Sequence, residues 1–62
     1  MKYGIYDEDR GTWLEDTIGL TYEECILIGY KIIGKGKLPA VSQFEMLKFL
    51  SENHFDVRPV ED

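Results

Sequence analysis

The sequence predicts a small α+β domain ordered β-β-α-α-β, its two helices packed on one face of the sheet and its last strand at an edge. Three observations predict it. Thr21-Tyr22-Glu23-Glu24 and Ser42-Gln43-Phe44-Glu45 each read as a helix start that leads into an apolar segment of helical period. Short β-favouring stretches flank the turn-rich run Asp7-Glu8-Asp9-Arg10-Gly11. Phe55-Asp56-Val57-Arg58 alternates apolar and polar residues, the period of a half-buried strand. With 62 residues the chain is a single domain, 1–62. A domain of that size buries only about 60% of its unfolded surface, so its core is small.

Taken in order, residues 2–6 and 12–17 form the predicted hairpin, with Gly11 in the left-handed position of its bulged turn. Two strands alone are marginal in water and need something to pack on. The first helix begins at Thr21, whose hydroxyl caps it, with Glu24 closing the box. Leu20 and Cys25 stand where a hydrophobic staple would form. It ends near Ile33, because Gly34 and Gly36 suit a C-terminal cap and Pro39 forbids continuation. The second helix begins at Ser42, with Val41 and Met46 as its staple, and ends near a left-handed Asn53. The last strand follows, with Pro59 restricting it to an edge or to its own end. Two intervening helices would bring it beside the first strand and parallel to it.

The helix faces carry a further expectation. Tyr22, Cys25, Ile26, Ile28, Gly29, Ile32 and Ile33 share one wide arc of the first helix. A glycine at the centre of that arc costs roughly 1 kcal/mol relative to alanine, which suggests that another backbone comes close. Leu27 and Tyr30 lie outside the main arc, and Met46 and Phe49 flank that of the second helix. So much apolar surface predicts self-association as a homodimer through Leu27, Gly29, Tyr30, Met46 and Phe49.

Charge and composition exclude several functions. Twelve acidic residues against seven basic give −5, which disfavours general phosphate-backbone binding, so no direct nucleic-acid contact is expected. One cysteine rules out an intramolecular disulfide framework. No apolar run approaches the roughly 18 residues of a membrane span and no signal peptide opens the chain, so the expected location is the cytoplasm, away from membranes. Asp7-x-Asp9 lacks the further ligands of a calcium loop, since Gly11 and Ile18 stand where they would be. Gly34-Lys35-Gly36-Lys37 has neither the glycine spacing nor the Ser or Thr of a phosphate loop. Ser42, His54 and Asp56, or Cys25 with His54, supply residue types for nucleophilic catalysis. Ser42 is already committed as a cap, however, and Cys25 lies on the apolar arc. The expectation is therefore no enzyme, no cofactor and no metal.

Charge distribution gives the functional expectation. Residues 7–24 hold seven carboxylates and only Arg10, a local charge of −6, while Lys31, Lys35 and Lys37 cluster further on. Clustered carboxylates can imitate a phosphate backbone, as in small phage-encoded inhibitors. The expected role is an acidic protein-interaction module that blocks the basic, nucleic-acid-binding surface of another protein. Asp7, Glu8, Asp9, Glu15 and Asp16 are its predicted contact residues. A small regulatory DNA-binding module is an alternative. Its candidate recognition helix, however, offers Lys48 alone against Glu45 and Glu52.

Residues 1–33 also resemble the start of HicB-type antitoxins. The likeness rests on the opening Lys2-Tyr3, the acidic turn at 7–11, a second strand, and the helix opening Thr21-Tyr22-Glu23-Glu24. The Pro-Gly-Cys segment of that family's second strand is missing. The resemblance implies an antitoxin-type role, binding and blocking a small basic RNase.

Overall fold

The computed structural model describes residues 1–60. Strand β1 (Tyr3–Asp7) is followed by β2 (Thr12–Trp13), a single 3-10 turn (Glu15–Thr17), helices α1 (Tyr22–Ile33) and α2 (Gln43–Glu52), and strand β3 (Phe55–Pro59). The ββααβ order matches the expectation. The sheet runs β2-β1-β3, so β1 is central and β3 is an edge.

Both helix starts form as their sequences require. Thr21 accepts the Glu24 N–H at 3.2 Å, and the Glu24 carboxylate accepts the Thr21 N–H at 3.1 Å, a complete capping box. Ser42 accepts the Glu45 N–H at 3.2 Å. These bonds satisfy amides that have no partner within the helix. Gly11 adopts a φ of 70°, and its N–H donates to the Asp7 carbonyl across the hairpin turn. At the end of α2 the left-handed residue is His54, with a φ of 65°, and Asn53 stays at −99°. At the end of α1, Lys35 and Gly36 are left-handed while Gly34 is not.

Strand β2 is two residues long, not six. After Leu14 the chain turns, and the Thr17 hydroxyl takes over the work of a strand. It donates to the Leu14 carbonyl at 2.7 Å and accepts the Ile5 N–H at 3.0 Å. A side chain thus completes the edge of β1 where a ladder would have continued.

Strand β3 lies beside β1 as expected, but antiparallel, pairing Tyr3 with Pro59 and Asp7 with Phe55. The 34–42 connection between the helices explains the reversal. It delivers the end of α2 to the hairpin turn, where the Glu8 N–H donates to the His54 carbonyl at 3.0 Å. β3 therefore enters at the Asp7 end of β1 and can only run back along it.

The core is compact. Ile5, Cys25, Ile26 and Leu50 are wholly buried, with Leu14, Leu47 and Val57 among the residues packed around them. Gly29 has the reason for its smallness here. A Cβ at that position would collide with Cδ1 of Ile5, so a side chain of β1 makes the close approach, not another backbone.

Candidate functional site

The five predicted acidic contact residues fall into two groups with different surroundings. Asp7, Glu8 and Asp9 share the β1–β2 turn, while Glu15 and Asp16 open the 3-10 turn beyond β2. Asp7 is buried. Its Oδ1 accepts the backbone N–H groups of Asp9 (3.1 Å) and Arg10 (3.2 Å), and Arg10 Nε lies 3.8 Å from its Oδ2. This carboxylate builds the turn, and unlike the other four predicted contact residues it is buried. Asp and Asn serve tight turns by this local bonding.

Glu8 and Asp9 project outward but are partly matched by charges from the far end of the chain. Arg58 Nη2 lies 3.4 Å from Glu8 Oε2, and Arg58 Nε donates to Asp56 at 2.8 Å. The same guanidinium sits 4.3 Å from the centre of the Tyr6 ring, and Tyr6 in turn meets Trp13 edge to face. Tyr6 and Trp13 thus pack on the outer face of the sheet with a cation over them. His54 Nδ1 lies 2.9 Å from Asp9 Oδ1. Glu15 and Asp16 are exposed and carry no ion pair among the described residues.

The hydrogen bond to Asp9, then the carboxylate's charge, raises the His54 pKa above the ordinary imidazole value; desolvation opposes this, and the Glu8 charge adds a smaller upward push. A raised folded-state pKa means that the interaction stabilises fully below the unfolded value. It is lost as pH rises through the folded one. A proton NMR titration should place the His54 midpoint above that of an unstructured peptide, and D9N should bring it back down. An unmoved midpoint in D9N would show that the pair does not form in solution.

The residues with catalytic potential do not assemble. Ser42 and His54 bracket α2, whose ten residues span about 15 Å at 1.5 Å each. Cys25 is buried, and its thiol donates to the Thr17 carbonyl at 3.4 Å. Burial, with the Glu24 charge adding to it, pushes that thiol's pKa up, away from the reactive thiolate. Among the described residues no group of three or more His, Cys, Asp or Glu could hold a metal ion. None of their helices is long and apolar enough to cross a membrane.

A second surface lies on the other side of α1. Leu27, Tyr30 and Lys31 form one wall of a groove of about 300 Å³, which Leu38, Val41 and Met46 help to close. The Tyr30 hydroxyl donates to the Pro39 carbonyl at 2.9 Å and so holds the connection against the helix. Of the five predicted self-association residues, Leu27, Tyr30 and Met46 meet here. Gly29 does not, because it is covered by Ile5, and Phe49 packs its ring against Tyr30 inside the helix pair. Sequence reasoning missed the contribution of residues 38–41. It also missed Phe44, which is 75% exposed at the start of α2. An aromatic in the first turn beside Glu45 was the available signal.

Compared with known families and proteins, the chain matches no family model, no curated protein and no solved structure, and the HicB-type resemblance gains no support from them.

Proposed function

We propose that this protein is a small acidic binding module that occupies a basic, nucleic-acid-binding surface of another protein, in the manner of a phage-type inhibitor working in the cytoplasm. The supporting observation is the run of exposed carboxylates Glu8, Asp9, Glu15 and Asp16 on a turn and a 3-10 segment that are both held by internal hydrogen bonds. Anionic groups fixed before binding lose little freedom on binding, which favours affinity. Such charges also speed encounter with a cationic surface. Self-association belongs to the same reading, supported by the open groove at Leu27, Tyr30 and Met46.

The test leaves Asp7 intact, because its carboxylate builds the turn. The E8Q/D9N/E15Q/D16N variant loses only exposed pairs, each worth about 0–1 kcal/mol, and should stay folded. Immobilised wild-type protein should retain from cell extract a basic protein that duplex DNA displaces. The variant should retain roughly tenfold less at low salt. Equal retention by both, or retention indifferent to DNA, would defeat the proposal.

A further inference from the structure

We infer that Phe44 of one copy seats in the groove of a second copy, and reciprocally, giving a two-fold dimer. This rests on the self-association reading and specifies how the two copies meet. Phe44 is 75% exposed, the one exposed aromatic (Phe, Tyr or Trp) among the described residues. The groove of about 300 Å³ has room for its ring. A protein cavity of about 150 Å³ lined by apolar side chains already accommodates benzene.

The placement of knob and hole supports a symmetric contact. Val41 and Met46, which line the groove, flank Phe44 in the sequence at the start of α2. An isologous interface needs one self-complementary patch, and an axis passing close to this helix start would bring each Phe44 over the other copy's groove. Charge agrees with this arrangement. Lys31 lines the groove, Lys35 and Lys37 are exposed in the adjoining connection, and no acidic residue occurs from 31 to 44. Glu45, next to Phe44, is exposed and would be carried to those lysines.

Sedimentation equilibrium across the micromolar range tests the contact. Wild-type protein should show a monomer–dimer equilibrium, and F44D and L27D should each be monomeric with unchanged circular dichroism. Both positions are exposed, so neither change removes core packing. An equimolar mixture of the two variants should recover part of the dimer. One chain then supplies an intact Phe44 and the other an intact groove, restoring one of the two contacts. A wild-type chain that stays monomeric would overturn self-association altogether. A dimer that survives F44D, or variants that fail to complement, would overturn this mode of pairing and leave self-association standing.

Discussion

Leu50→Ala is expected to leave the chain close to its unfolding midpoint in plain buffer. Leu50 is wholly buried and is the member of the central cluster contributed by α2, which it anchors beside Ile5, Cys25 and Ile26. Removing a buried leucine's methyl groups costs about 2–5 kcal/mol when the cavity cannot collapse. A domain of this length has a total stability of roughly 3–9 kcal/mol, at about 0.05–0.15 kcal/mol per residue. The loss is therefore comparable with the whole. Urea denaturation followed by far-ultraviolet circular dichroism should show the folded baseline shortened or gone. A midpoint equal to that of the wild type would mean that α2 does not pack on the core as described.

The second large effect is expected at Thr17. Thr17→Val keeps the shape and removes the hydroxyl, so the Ile5 N–H loses its acceptor, while the Leu14 carbonyl keeps the Thr17 backbone N–H as a donor. Thr17 is wholly buried and its bond to Ile5 lies in the interior, so water cannot take the hydroxyl's place at the Ile5 N–H without opening the structure. Stranding a buried polar group costs about 1–3 kcal/mol. Thr17→Ser retains both bonds and gives up one methyl, about 1 kcal/mol. The expected order of stability is wild type, then serine, then valine. Amide exchange at Ile5 should quicken in the valine variant ahead of its neighbours in β1. If valine proved more stable than serine, packing and not hydrogen bonding would govern the site.

What the sequence made legible was local. A capping box spans four residues, and both of its bonds form between Thr21 and Glu24, so reading them needed no knowledge of the rest of the chain. The same holds for Ser42 and for the left-handed Gly11. What was not legible depended on partners distant in sequence. The end of β2 is set by a hydroxyl that reaches a strand twelve residues back. The direction of β3 is set by where the helix connection delivers the chain. At Gly29 the helical pattern points to another backbone, but the group that comes close is the side chain of Ile5, which only the packing of α1 on β1 places there. The acidic segment was plain in composition. Its matching by Arg58 and His54 was not, because those side chains arrive only when β3 and the end of α2 dock against the turn.

The reversal of β3 also decides how the sheet answers to tension. In the antiparallel pairing, Tyr3 and Pro59 face each other at one end of the β1–β3 ladder, and Asp7 and Phe55 at the other. A force applied through the chain on either side of Tyr3 and Pro59 pulls across the strands, so it loads a single register position at a time. The pairing then opens like a zipper, from the Val60 N–H bond to the Lys2 carbonyl, through Tyr3–Pro59, toward Asp7–Phe55. A parallel pairing would have placed those points at opposite ends and loaded every rung together in shear. The fold is thus mechanically soft along the axis that joins its outermost strand residues, however firmly its core is packed.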